Sequence, residues 1–306
     1  MGGPLRRSEH KGWRRRRKRL RREGREVGGD GAPTTDTLPP VSDQTFFAEG
    51  LSGLEAGARA ELASDDVSHV RAARLRPGGR LAVTDGAGCR WEAELVALDR
   101  RRASCRLLAP LPPEPALPLH LWAPVANRDR SLWLVEKAVE LGAAAITWIE
   151  WERSRSVADA ARSEGFLRRA EGRARAALKQ SGRSWLPRLR GSMMPDEALG
   201  RHDGAGWLAD AEGRPWLADA EGRPWLAAGI ARGREGRRGG SGLTVAVGPE
   251  GGLTRPERQR CLEAGFEPVS LGPAALRFET AAVVAVAVAA AMLAADENEA
   301  GDEGMT

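Results

Sequence analysis

Hydrophobic and polar positions change their period along this chain, and the change divides it. Leu81-Ala82-Val83, an Asp85-Gly86 turn, and Trp91, Ala93, Leu95 and Ala97 at alternate positions predict a hairpin. Ala103 to Leu108 predicts a further strand, so residues 44–113 read as a small β domain. The proline cluster LPPEPALP at 111–118 reads as a linker. From Leu119 the pattern alternates. Strands are predicted at Leu119–Ala123, Ala145–Ile149, Leu243–Val247 and Pro268–Leu271. Helical spacing of Leu132, Val135, Ala138 and Val139 predicts a helix over Ser131–Leu141 closed by Gly142, and 164–181 reads as a long polar helix. Ala281 to Ala295 is almost wholly apolar; its fifteen residues fall short of the roughly twenty a membrane span needs, so a buried Ala-rich helix is expected. Strand–helix alternation of this kind predicts an α/β domain with a mostly parallel sheet.

Two loops stand out against that pattern. After the strand at Leu243–Val247, Gly248-Pro249-Glu250-Gly251-Gly252 offers three glycines, which permit positive φ and close approach of a ligand to the backbone. Thr254 and Glu257 then fit a capping box with Pro256 in the first turn, and Gly265 ends the helix. The next strand runs into Gly272-Pro273-Ala274-Ala275-Leu276-Arg277. Ligand crevices of open α/β sheets lie at such strand ends. The first loop lacks the Lys-Ser/Thr of a P-loop and the spacing of a GxGxxG site, so a ligand loop and a tight strand-to-helix turn both remain open from the residues alone.

Charge is unevenly spread. Residues 1–30 hold twelve Arg/Lys against four Asp/Glu, and 296–306 hold five acids and no base, so the body between them is nearly neutral. The stretch 1–43 has no apolar run after its arginines and reads as a disordered basic extension; 296–306 reads as a disordered acidic tail. WLADAEGRP occurs at 207–215 and again at 216–224, one copy expected in the sheet and the other in a loop, with the choice undecidable. Two such short copies do not make a solenoid. Cys89, Cys105 and Cys261 and the four scattered histidines have no metal-ligand spacing, so a reduced cytoplasmic protein without a metal is expected.

GPEGGLT followed some twenty residues later by LGPAALRFETA resembles the C-terminal signature of the RsmE family, ribosomal RNA small-subunit methyltransferases of the SPOUT (trefoil-knot) superfamily that methylate uridine N3. Lys137 with Glu140-Leu141-Gly142 matches its KxxELG motif, Arg153-Ser154 its Arg-Ser, and Gln180-Ser181-Gly182-Arg183 its Q-x-G-R. HVRAARLRPGGRLAVTDGAG resembles the family's N-terminal PUA-like β-barrel. The resemblance covers roughly residues 45–295 and departs in three places: Asn127 where a basic residue is common, Ala274-Ala275 where Arg-Ile is usual, and Lys179 where an acid is usual.

The resemblance implies a PUA-like RNA-docking barrel at 44–113 and a knotted SPOUT methyltransferase domain at 118–295, pairing as a homodimer and acting on 16S rRNA of the small ribosomal subunit. S-adenosylmethionine is the implied cofactor, held by Gly248, Pro249, Glu250, Gly251, Gly252, Leu271, Gly272 and Leu276. Methyl transfer needs positioning of two reactants, and uridine N3 needs help in losing its proton. Arg277 is the candidate cation for the resulting anion or for the target phosphate; Glu279 would orient Arg277 or act as base, and Glu250 is the other candidate carboxylate. Arg71, Arg74, Arg76, Arg128, Arg153 and Arg183 are candidate RNA contacts, each with a plain surface role as its alternative. Two other functions stay open: a SPOUT enzyme for another RNA atom, such as a ribose 2′-hydroxyl, and a catalytically silent ribosome-associated RNA-binding protein.

Overall fold

In the computed structural model two sheets carry the chain, which is described at residues 44–157, 163–202, 204–215, 242–271 and 274–303. The basic extension 1–43, the second WLADAEGRP copy and the linker at 231–241 lie outside those residues.

The first sheet has the order β1-β3-β4-β5-β2. Its strands are β1 (Thr45–Phe47), β2 (Arg59–Glu61), β3 (Arg80–Thr84), β4 (Arg90–Leu98) and β5 (Ala103–Pro110), with helix α1 (Asp66–Ala72) between β2 and β3. Pairing is antiparallel except between β1 and β3. The predicted hairpin is β3–β4. Ala93 and Leu95 point inward as expected, but the register breaks between Leu95 and Ala97, and Ala97 faces solvent. A bulge shifts the alternation by one residue, which no period-2 reading detects. Leu81, Val83, Leu95, Cys105 and Leu107 close a core with Val67 and Val70 of α1. Burial pushes the Cys105 thiol up to about 11 and the Cys261 thiol up to about 12, so both stay protonated and inert.

The second sheet is parallel throughout, in the order β11-β9-β10-β6-β7-β8. Its strands are β6 (Leu119–Pro124), β7 (Ala145–Ile149), β8 (Arg188–Met193), β9 (Ala205–Pro215), β10 (Leu243–Val247) and β11 (Phe266–Ser270). The first repeat copy lies within β9. Helices α2 (Arg128–Glu140), α3 (Glu164–Ser181) and α6 (Phe278–Glu303) share one large core with this sheet; α4 (Pro195–Gly200) and α5 (Arg255–Glu263) contribute to a smaller one. Small residues make the first face close-packed: Ala170, Ala174 and Ala177 of α3 and Ala282, Ala285 and Ala289 of α6 are all buried. Two helices start ahead of their expected bounds. Helix α2 begins three residues early because the Asn127 carboxamide caps it, accepting from the Asp129 and Arg130 amides at 2.9 and 3.5 Å. Helix α6 starts at Phe278 and runs to Glu303, so the acidic stretch from 296 continues a helix instead of forming a disordered tail.

The proline linker is held in place. Glu114 accepts from the Ser184 amide at 2.6 Å and pairs with Arg183, while its carbonyl accepts from Trp185 Nε1 at 2.7 Å. Lys179 of α3 pairs with Asp66 of α1, whose other oxygen accepts from the Phe47 amide at 2.6 Å.

Candidate functional site

Both glycine–proline loops leave the second sheet at the C-terminal ends of β10 and β11. The first is a tight turn: the Gly252 amide donates to the Pro249 carbonyl at 2.8 Å, with Gly252 at φ 69. A Cβ at Gly248 would come within 2.3 Å of Leu253 Cδ1, so a side chain there displaces the leucine folded under the loop. The capping box forms as expected, with Thr254 and Glu257 bonding reciprocally. Glu257 does more than cap. It is buried, and its second oxygen accepts from the Glu152 amide at 2.7 Å. That bond joins the loop's helix to the 3-10 turn Glu152–Val157 that follows β7. Trp151 Nε1 donates to the Val247 carbonyl at 3.1 Å and Arg153 donates to the Gly251 carbonyl, so the segment after β7 braces the loop from behind.

Between the loops lies a cavity of about 670 Å³. Its walls are Gly248, Pro249, Glu250 and Gly252 on one side and Leu271, Ala274, Ala275 and Leu276 on the other, with Leu208–Asp210 of β9 as a third wall. Arg258 of α5 pairs with Asp210 at 2.5 Å. Small-molecule sites commonly have this volume and this mixture of apolar walls with a few polar groups.

Not every expected residue is placed alike. Gly248, Pro249, Glu250, Gly252, Leu271 and Leu276 line the cavity; Gly251 faces Arg153 instead, and Gly272 lies outside the described residues. Arg277 is exposed immediately before α6, with no side-chain partner among the described residues. Glu279 departs from its expected position. It does not line the cavity or meet Arg277; its Oε1 stands 3.7 Å from Arg130 Nε, and its Oε2 is buried with no hydrogen-bond partner among the described residues. Arg130 also pairs with Glu250 through Nη1. One guanidinium therefore bridges the two candidate carboxylates, and sequence reading missed it. No local signal marks it, because Glu250 is 120 residues away. Asn127, a departure from the resembled pattern, is the cap that fixes the backbone under Arg130.

Among the expected RNA contacts, Arg153 and Arg183 have partners within the chain. Arg153 donates to the Gly251 carbonyl, and Arg183 donates to Glu114 and, at 3.1 Å, to the Glu140 carbonyl. The Arg183 guanidinium packs where a Cβ on Gly142 would stand, 2.8 Å from Nη1, which accounts physically for the glycine of KxxELG. In the same motif Lys137 pairs with Glu140 at 2.7 Å and Glu136 at 3.0 Å, hydrogen bonds that hold its ammonium above the usual lysine range. Arg128 is exposed beside Asp129 at 3.7 Å. Arg71 donates to the Asp99 carbonyl, and Arg74 and Arg76 are exposed. No cluster of three or more metal-ligating side chains occurs among the described residues, and none of their helices is long and apolar enough to cross a membrane.

Residues 112–290 match the RNA methyltransferase domain family. The ribosomal RNA small subunit methyltransferase E of Mycobacterium bovis is 29% identical over 261 residues, covering 84% of this chain and 95% of that protein. Its Bacillus subtilis counterpart is 25% identical, over 79% of this chain and 94% of that protein. Among solved structures, a ribosomal RNA small subunit methyltransferase E from Neisseria gonorrhoeae bound to S-adenosyl methionine superposes with TM-score 0.64 at 27% identity, over 80% of this chain and 95% of that one. A probable rRNA-methyltransferase from Porphyromonas gingivalis gives TM-score 0.61 at 27% identity, over 82% and 99%.

Proposed function

Since the chain belongs to the RsmE family of RNA methyltransferases, we propose that it transfers a methyl group from S-adenosylmethionine to N3 of a uridine in 16S rRNA of the small ribosomal subunit. The cavity between the two loops is the observation that carries this reading. Its residues fit the cofactor. Leu208, Leu271 and Leu276 offer apolar contact for an adenine, and Gly248 and Gly252 bring backbone close to it. Bound there, S-adenosylmethionine would supply a methyl group on a sulfonium.

The chain's own residues would do the rest. Arg277 offers a cation unpaired among the described residues for the charge on uridine N3 and its flanking carbonyls, or for the target phosphate. Glu250 lies in the cavity wall and is the carboxylate available for the proton. Glu279 and Arg130 hold that arrangement, Arg130 spanning both acids. Arg130→Gln is expected to lower kcat by about two- to fivefold, the worth of a half-exposed pair. Cofactor affinity should move far less, since Arg130 does not line the cavity. Stopped-flow binding and steady-state rates on one preparation separate the two, and equal losses in both would rule out this role.

In the same reading the five-stranded unit is a PUA-like barrel that docks RNA, and residues 118–295 are a SPOUT domain threaded as a trefoil knot. Two copies pair, and the protein works in the cytoplasm. The exposed Trp133 and Val284, on helices α2 and α6 that pack together, support the pairing. Ala274 and Ala275 in the cavity wall, where the family usually has Arg-Ile, favour the one competing reading, a silent RNA-binding protein. The test is transfer from labelled S-adenosylmethionine to small subunits lacking the modification, followed by nucleoside analysis. N3-methyluridine is the expected product. A 2′-O-methylated nucleoside would move the activity to another atom, and cofactor binding without transfer would establish the silent protein.

A further inference from the structure

Glu279 carries a carboxylate that the fold leaves half satisfied. Its Oε2 is buried with no hydrogen-bond partner among the described residues, and its Oε1 meets Arg130 Nε only at 3.7 Å, beyond hydrogen-bond length. A buried charged oxygen without a donor costs free energy that a neighbouring donor would recover. The donor within reach is engaged elsewhere. Arg130 gives Nη1 to Glu250, a mostly exposed side chain at the cavity wall, while the largely buried Glu279 stands beside the same guanidinium. Arg130 thus sits on the acid that needs it less.

The root of this arginine is fixed and its head is not. The Asn127 carboxamide accepts from the Arg130 amide at 3.5 Å, and Ser131 Oγ donates to the Asn127 carbonyl at 3.0 Å, which pins the first turn of α2. Beyond that backbone a change of rotamer turns the guanidinium from one carboxylate to the other. A cation in the cavity would draw it across. The wall has two acids, Asp210 and Glu250, and Asp210 is bonded to Arg258 of the same wall at 2.5 Å. Glu250 is the wall's acid whose counter-ion, Arg130, lies outside the wall. A cationic group entering the cavity competes with Arg130 for Glu250, and the unpartnered Glu279 oxygen makes the loss cheaper for Arg130. The methyl donor has such a group. Its sulfonium is positive, whereas the thioether left after transfer is neutral. Donor and product differ only in that methyl group and that charge, so apolar walls and backbone hold both nearly alike, and a charged side chain is what separates them.

We propose that Arg130 exchanges between Glu250 and Glu279, and that Glu250, freed by the exchange, distinguishes the sulfonium donor from the thioether product. The proposal rests on the cavity holding S-adenosylmethionine and adds a device for product release: once the positive charge is gone, Arg130 returns to Glu250.

The experiment is competition calorimetry on the full chain without RNA, giving Kd for S-adenosylmethionine and for S-adenosylhomocysteine on one preparation. Glu250→Gln should reduce the preference for the donor by about three- to fivefold, the worth of one half-exposed charge contact, chiefly by weakening the donor. Glu279→Gln should reduce the same preference by about twofold, because Arg130 then has a poorer second position. The ligand-free Glu279→Gln protein should melt at the same temperature or higher, since a buried charge without a donor has been removed. In the double variant the second substitution should add nothing, because both act through one guanidinium. Additive losses there would overturn the exchange. So would a Glu279→Gln protein that melts lower and binds both ligands equally less well, since Glu279 would then only brace the fold. An unchanged preference in Glu250→Gln, with both ligands still bound, overturns the exchange and leaves the cofactor reading standing. Wild type that binds neither ligand overturns both.

Discussion

Arg277→Ala is expected to lower kcat for methyl transfer by about 10²–10³-fold, the range typical for deleting a group that stabilises charge developing in a transition state. The expectation follows from placement. Arg277 stands at the end of the second loop, directly before α6, and no acid among the described residues neutralises it. It does not line the cavity, whereas its neighbours Leu276 and Phe278 do, so its loss should leave cofactor affinity within about threefold. If it stabilises an anion on uridine N3, the variant has a second signature: its rate should keep rising with pH where the wild-type rate has levelled, because solvent base then does what the cation did. Lysine at 277 should recover part of the rate, since it returns charge without the planar fork. A variant within threefold of wild type would transfer the role elsewhere, with Arg130 as the next cation to test.

Lys179→Ala should destabilise the fold by about 3–5 kcal/mol, the cost of leaving a buried ion without its partner. Asp66 is 1% exposed, and its carboxylate faces the Lys179 ammonium, the Phe47 amide at 2.6 Å and His69 Nδ1 at 3.2 Å. His69 is largely exposed and is a weak substitute for an ammonium. For a body of this size the loss corresponds to roughly 6–20 °C in Tm. Adding Asp66→Asn to the variant should restore much of it, because the amide oxygen still accepts from Phe47 and no charge remains buried. A Lys179→Ala loss under about 1 kcal/mol would mean that water reaches Asp66. The lysine stands where the family usually has an acid, and Asp66, on an element more than a hundred residues away, is its physical reason.

Much of this was legible in the sequence because it is local. The capping box at Thr254, the helix over 164–181 and the strand at 145–149 depend on neighbours within a few residues, and period, caps and glycines report those. The cavity-forming loops were legible because glycine and proline announce them. What escaped depends on contacts across the chain. Arg130 meets Glu250 and Glu279 only after β6 and β10 pair, and Glu114 meets Arg183 only once the linker folds back over α3. Glu279 was read as orienting Arg277 or acting as base, and its contact with Arg130 has no local signature. The bulge at Ala97 and the choice of repeat copy for β9 are decided by register, which composition does not encode.

Glu114 has one consequence for the substrate. With its side chain held by Arg183 and the Ser184 amide, and its carbonyl by Trp185, the stretch between the two sheets is tied down at Glu114. On the proposed reading, the RNA-docking first sheet and the cavity then keep a set separation, and the protein acts as a ruler. An RNA satisfies both ends only when its fold presents a backbone segment and the target uridine at that span. Unfolded RNA of the same sequence meets one end at a time and forgoes the effective-concentration gain of holding both. Selectivity for a folded ribosomal particle over free RNA would in this way come from distance, without any base being read.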